Sequence, residues 1–110
     1  MALVALSREQ LTVAGSVVGF TSAKIPPNVV MALVYVTTAP IRYYANGDAT
    51  TAVGRAGNGT APTSTLGIPA GIDAVFEVWG WNDIKNWRGI RTTGTSAILE
   101  VEFFGDAPNP

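Results

Sequence analysis

The sequence predicts an all-β, single-domain β-sandwich that is jelly-roll-like, with an immunoglobulin-like sandwich as the alternative. Seven prolines and twelve glycines are spread over 110 residues, and they interrupt every window in which a helix of useful length would form. Between them lie short runs rich in β-branched and aromatic residues, a pattern typical of sandwiches and barrels. We expect an N-terminal arm at residues 1–10, the sandwich at 11–104 and a flexible C-terminal tail at 105–110.

Four strands are expected in the first half of the chain. Their residues are 11–20, 29–37, 41–45 and 49–53. The run at 29–37 is apolar on both faces, which indicates a strand covered from both sides. Asn46 and Gly47 separate the last two runs, and this pair favours a two-residue hairpin because both central residues of a type I′ turn need positive φ.

The second half of the chain begins with residues 54–65, which carry no periodicity and predict a long loop that is mobile or that orders on a partner. Four further runs follow. They span residues 66–71, 74–81, 87–92 and 97–104, with a turn or single helical turn at 82–86. In the run 74–81, Phe76 and Val78 share an apolar face that we assign to the core, and the last run alternates in the same way.

The second face of the last run carries two carboxylates. Glu100 and Glu102 lie there without a basic neighbour on their own strand. Arg88 and Arg91, on the run before, are the in-chain candidates to pair with them. An arginine from a second subunit is one alternative, and a solvated face that discourages edge pairing is the other.

The charge content points to an assembly. Only 14% of the residues are charged while 47% are apolar, whereas about 25% charged residues is usual. Low charge is typical of a surface that is partly buried against other subunits, although a neutral, Thr-rich β surface is the alternative. We therefore expect the chain to bind copies of itself and to form a homo-oligomer.

Several function classes are excluded or disfavoured by composition. The formal net charge of −1 argues against a nucleic-acid partner, and no apolar run approaches the length that a membrane span needs. The chain has no Cys and no His, so it lacks disulfides, thiolate chemistry and imidazole ligands or bases. We expect no enzyme activity, no cofactor and no metal.

Three tryptophans, at positions 79, 81 and 87, are the most informative aromatic residues. They either complete the core, form a contact with another subunit or provide a stacking platform for sugar rings. The last two alternatives make them candidates for an interaction site. Together with apolar and basic neighbours, the candidate interface residues are Leu3, Val4, Leu6, Trp79, Trp81, Trp87, Arg88, Arg91 and Phe104.

Two stretches carry a family resemblance. They are Pro40-Ile-Arg-Tyr-Tyr44, which stands before Asn46-Gly47, and Ile90-Arg-Thr-Thr-Gly-Thr-Ser-Ala-Ile-Leu-Glu-Val-Glu102. With these turns and strands the chain resembles small all-β accessory proteins that are encoded among the structural genes of tailed bacteriophages. The resemblance covers roughly residues 11–104, and its motifs concern strands and turns.

The resemblance implies a virion component of the head decoration or cement type. Such proteins are typically jelly-roll-like trimers that sit on the outer surface of the head, over junctions of the major capsid protein. On this reading the chain is made in the cytoplasm of the bacterial host and has no catalytic residue. The alternatives are a glycan-binding module and a connector in the tail or neck of a phage particle.

Overall fold

The chain folds as an all-β sandwich of two antiparallel sheets. The structure, a computed structural model, describes residues 3–45 and 62–106. The strands are β1 (Leu3–Val13), β2 (Val29–Thr37), β3 (Ile41–Tyr44), β4 (Ile68–Ala70), β5 (Val75–Trp79), β6 (Arg88–Arg91) and β7 (Ala97–Asp106), with one short helix, α1 (Trp81–Lys85). The hairpin predicted at Asn46-Gly47, the strand at 49–53 and most of the loop at 54–65 lie outside the described residues.

The strand order is that of a jelly roll. The larger sheet has the order β1-β7-β2-β5 and the smaller has β4-β3-β6, and Val18 adds a bridge to Gly89 on the free side of β6. With the Val18 segment counted as a second strand, the described residues form sheets with strands 1-8-3-6 and 2-7-4-5, the double Greek key of a jelly roll. In an immunoglobulin sandwich the first two strands share a sheet, so that alternative is excluded.

The core lies between the sheets and follows the alternation of the strands. On the larger sheet it is formed by the inward residues of β1, β2 and β7. These are Leu11, Val13, Ala32, Val34, Val36, Ala97, Leu99, Val101 and Phe103. An aromatic cluster of Phe20, Trp87, Tyr43 and Phe76 fills the space between the sheets. The predicted apolar faces of β5 and β7 are thus confirmed.

Strand β2 is covered on one face only, so the prediction of cover from both sides is wrong. Its inward residues are completely buried, but Leu33 is partly exposed and Tyr35 is 39% exposed on the other face. The reason is that the smaller sheet packs on one side of the larger sheet, while β7 and β5 flank β2 within it. An apolar strand therefore presents apolar side chains outward.

The predicted boundaries at residues 10 and 105 do not exist in the structure. Strand β1 runs from Leu3 to Val13 and pairs with β7 along its whole length, from Leu3 opposite Asp106 to Val13 opposite Ala97. Residues 3–10 are therefore part of the sandwich, and residues 105–106 belong to its last strand. Paired backbone groups hold both segments. The remaining tail, 107–110, lies outside the described residues.

Candidate interaction surface

One side of the larger sheet faces away from the core, and we call it the outer face. Residues directly opposite each other in antiparallel strands lie on the same face, so the register defines rows that cross all four strands. The three rows that form the outer face are Gln10–Glu100–Tyr35–Val75, Arg8–Glu102–Leu33–Glu77 and Ala5–Phe104–Met31–Trp79.

The outer face is rich in exposed apolar and aromatic side chains. Tyr35, Val75 and Trp79 are 39%, 59% and 51% exposed, and Leu33 and Phe104 are partly buried between their neighbours. A groove of about 300 Å³ runs along its centre. Its lining residues are Arg8, Leu33, Tyr35, Val75, Glu100, Val101 and Glu102. Exposed apolar patches bordered by polar residues are typical of interaction sites.

The acidic side chains of β7 pair with β1, so the prediction that Arg88 and Arg91 serve them is wrong. Arg8 Nη2 lies 3.7 Å from Glu102 Oε2, and Gln10 Nε2 donates a 2.7 Å hydrogen bond to Glu100 Oε2. The cause is the register, which places Arg8 beside Glu102 and Gln10 beside Glu100. The three rows hold three carboxylates and one guanidinium, so the outer face is acidic.

Arg88 and Arg91 lie on the smaller sheet and bind within the chain. Arg88 Nη1 donates to the carbonyl oxygen of Trp87 at 2.7 Å, and Arg91 Nη1 donates to Ser96 Oγ at 3.3 Å. A Cβ atom at Gly19 would lie 2.5 Å from Arg88 Nη1, so the glycine makes room for the guanidinium. Both arginines therefore bind groups that are close to them in sequence and do not contribute to the outer face.

The three tryptophans occupy three different environments. Trp79 lies on the outer face, where its Nε1 donates a 2.8 Å hydrogen bond to Glu77 Oε1. Trp81 begins helix α1 and is 44% exposed, with Lys85 Nζ 5.9 Å from the ring centroid. Trp87 is completely buried in the core. The assignment of Trp87 to an interface is therefore wrong. The chain turns at Gly80, where φ is +92°, and after α1 it enters the smaller sheet, so Trp87 lies on the core side.

The remaining candidates divide between the two faces of the larger sheet. Leu3 lies opposite Asp106, on the outward side with Phe104, whereas Val4 lies opposite Gly105 on the inward side. Leu6 sits in a bulge between Ala5 and Ser7 and points inward, because its Cδ1 approaches Gly105. Of the four, Leu3 and Phe104 are the ones that the outer face presents.

Sequence reasoning missed four residues that line the groove of the outer face: Arg8, Leu33, Tyr35 and Val75. A signal for two of them was present, because Leu33 and Tyr35 form the second apolar face of β2. That face was assigned to a second covering layer. No local pattern marks Arg8 or Val75, whose position depends on which strands are neighbours.

Tyr35 is held at the edge of the groove by Asp73. Its hydroxyl donates a 2.7 Å hydrogen bond to Asp73 Oδ1. This hydrogen bond, together with the negative charge of Asp73, raises the pKa of the Tyr35 phenol above its ordinary value of 10.0, because both favour the neutral phenol over the phenolate. Asp73 has φ +71°, a conformation that aspartate and asparagine adopt more readily than most residues.

Replacing Asp73 by asparagine is expected to lower the pKa of the Tyr35 phenol toward its ordinary value, because the carboxylate charge is removed. Because the pKa of Tyr35 is higher in the folded chain than in the unfolded chain, the hydrogen bond between Tyr35 and Asp73 stabilises the fold fully below about pH 10, the pKa of tyrosine in the unfolded chain. This contribution is lost as the pH rises through the pKa of Tyr35 in the folded chain. Alkaline titration of the phenolate absorbance measures the shift, with Tyr35→Phe identifying the signal. Identical titrations of Tyr35 in the wild type and in Asp73→Asn would contradict the hydrogen bond.

Neither a metal centre nor a membrane helix is found in residues 3–45 and 62–106. No group of three or more acidic, Cys or His side chains lies together there in a way that could hold a metal ion. No helix in this part of the chain has the length and apolar character to cross a membrane. Comparison of the chain with protein-family models, curated proteins and solved structures finds no match.

Proposed function

We propose that this chain is a structural virion protein, a decoration or cement protein that stabilises a bacteriophage head by binding across junctions of the major capsid protein. The outer face carries the proposal. It places Leu33, Tyr35, Val75 and Trp79 on an open sheet surface with a groove along its centre. An interface needs this combination of apolar centre and polar border.

The charges of the outer face define the partner surface that fits it. Glu100 and Glu102 line the apolar groove together with Arg8, and Glu77 lies beside Leu33 in the same row. A complementary partner therefore presents apolar side chains flanked by lysine or arginine. On a phage head such a surface would be formed where capsid subunits meet.

Binding of this kind stabilises a shell by mass action. A chain that binds the assembled junction, and not the separated subunits, shifts the equilibrium toward the assembled shell by an amount that grows with its concentration. The chain supplies no catalytic group in this mechanism. Self-association into a trimer increases the effect, because linked copies bind with a high effective concentration.

The test is sedimentation of the purified chain with heads of the phage that encodes it, assembled without it. We expect wild type to co-sediment, and Leu33→Lys to weaken binding by about tenfold or more, because a charge enters the apolar centre. The lysine would lie between Glu102 and Glu77, so the fold tolerates it. Ile68→Lys is the matched control, since Ile68 is also exposed but lies on the smaller sheet.

Two results would contradict the proposal: no binding of wild type at any concentration, or equal binding by wild type and Leu33→Lys. Mass spectrometry of separated heads and tails shows in which part of the particle the chain is located. Recovery in the tail fraction alone would favour a tail or neck connector instead.

A glycan-binding module is the second candidate, favoured by the exposure of Trp79 and Trp81. Sugar rings stack on aromatic faces, and the Trp79 indole is fixed by its hydrogen bond to Glu77. Binding on a glycan array that Trp81→Ala abolishes would support this candidate over the virion role, and absence of binding across the array would remove it.

A further inference from the structure

In the part of the chain that the structure describes, the larger sheet ends in β5 on one side and in β1 on the other. At the β5 edge, Gly80 N–H donates to the carbonyl of Val30 and Val36 N–H donates to the carbonyl of Ala74. Backbone groups alternate in direction along a strand, so the even-numbered residues of β5 bond to β2. The N–H and C=O groups of Val75, Glu77 and Trp79 therefore point away from the sheet, and β5 pairs with β2 alone in the described part of the chain.

The β1 edge is also open to another strand. Within residues 3–45 and 62–106, β1 pairs with β7 and with no other strand. Residues 21–24 lie beside β1 and bind to side chains of that strand, not to its backbone. Ser7 Oγ donates to the carbonyl of Lys24, and Thr21 donates to the carboxylate of Glu9. A long edge strand with unpaired backbone groups is a template for pairing with another chain.

We infer that β5 of one copy pairs with β1 of the next copy, so that the larger sheet continues from one copy into another. This inference rests on the self-association included in the proposed function, and it names the surface that would join the copies. The binding mode is strand addition, in which backbone hydrogen bonds supply affinity and side-chain pairs supply specificity.

The strand directions fit this pairing. Each neighbouring pair in the order β1-β7-β2-β5 is antiparallel, so β5 runs opposite to β1 within one copy. Copies related by a rotation about an axis parallel to the strands keep these directions. The β5 strand of one copy then meets the β1 strand of its neighbour in the antiparallel sense, which continues the pattern of the sheet.

The charges select the register. Glu77 and Arg8 stand at opposite ends of one row of the outer face, and the Arg8 side chain is 83% exposed. Pairing the Glu77 carboxylate of one copy with the Arg8 guanidinium of the next satisfies the rule that opposite charges stabilise cross-strand neighbours. Antiparallel counting from this pair then places Val75 beside Gln10 of the neighbouring copy.

The same register gives Trp79 a place to bind. Counting in the other direction brings Trp79 to the bulge of the neighbouring β1, between Ala5 and Ser7. A cleft of about 160 Å³ lies at this bulge. Its lining residues are Ala5, Leu6, Ser7, Arg8 and Glu102. The half-exposed indole of Trp79 would enter the cleft beside the small side chain of Ala5.

A symmetric pairing of β5 with a second β5 is disfavoured. When two β5 strands pair about their centres, Glu77 lies directly opposite Glu77, and like charges in this position destabilise a sheet. A contact between β5 and β1 joins different surfaces, so it is head-to-tail and closes into a ring when the rotations complete a turn. A ring of three copies would contain twelve strands of the larger sheet, four from each copy.

Charge reversal tests the pairing. We expect the wild-type chain to form a closed oligomer by light scattering, and Glu77→Arg and Arg8→Glu each to weaken association by about tenfold, since attraction becomes repulsion. The double variant Arg8→Glu/Glu77→Arg is expected to regain the oligomer because it restores opposite charges. Lys85→Glu, which makes the same charge change as Arg8→Glu on helix α1 and off both edge strands, is the matched control and leaves association unchanged.

Hydrogen exchange provides a second measurement. The amides of Val75, Glu77 and Trp79 are expected to exchange more slowly in the oligomer than in the charge-reversed monomers. An oligomer that both single variants leave intact, or one in which these three amides are not protected, would overturn the pairing while leaving the self-association in place. A wild-type chain that stays monomeric at all concentrations would overturn both.

Discussion

Replacing Trp87 by alanine is expected to destabilise the folded chain by about 3–5 kcal/mol, as is usual when a completely buried tryptophan is removed. Trp87 stacks on Phe20 with ring centroids 4.5 Å apart, and it also contacts Tyr43 and Phe76. The side chain therefore joins elements of both sheets. The loss is a large part of the 5–15 kcal/mol that stabilises a typical domain.

Urea unfolding followed by circular dichroism measures this loss, with Trp79→Ala as the matched control. Trp79 is half exposed on the outer face, so its removal is expected to change the free energy of unfolding much less than the removal of Trp87. The Trp87 indole N–H has no hydrogen-bond partner among the described residues, so Trp87→Phe should retain part of the stacking and lose less than alanine does. Equal losses for Trp79→Ala and Trp87→Ala would contradict the burial described here.

Replacing Gly105 by alanine is expected to destabilise the chain by about 1–3 kcal/mol, the usual range for adding a methyl group to a packed site. A Cβ atom at this position would meet the carbonyl oxygen of Asn28 and would lie 2.5 Å from Leu6 Cδ1. Leu6 has some freedom to move, but the Asn28 carbonyl is backbone. The loss is therefore expected toward the upper end of the range.

Thermal unfolding compares this variant with Gly94→Ala. Gly94 has open space around it and no positive φ, so its replacement is expected to be neutral or slightly stabilising. If Gly105→Ala proved as stable as Gly94→Ala, residue 105 would belong to the flexible tail that the sequence predicts, and not to β7.

The sequence predicts those features of the fold that depend on local alternation. Val78 and Phe103 each lie on the apolar face of an alternating run, a pattern that predicts a core position, and the structure buries both. Prolines and glycines likewise placed the turns well enough to indicate a jelly roll. These predictions succeed because a strand with one buried face repeats its pattern over a few residues.

Features that depend on strand pairing were not predicted. Arg8 lies beside Glu102 because β1 pairs with β7, and no local pattern connects residues so distant in sequence. The closeness of Trp79, Trp81 and Trp87 in sequence predicts one aromatic cluster, but Gly80 and helix α1 place them in different surroundings. The outer face could be found only once the order of strands was known.

The position of β7 has a consequence for how the protein is made. This strand lies between β1 and β2, although residues 97–106 are synthesised after every other strand described. During translation β1 and β2 therefore lack the strand that joins them within the larger sheet until residue 106 leaves the ribosome. Such non-local pairing is characteristic of slow folding and leaves unpaired, aggregation-prone strands in the nascent chain. The sandwich is thus expected to complete its folding only after β7 has been synthesised, and to depend on chaperones or low local concentration until then.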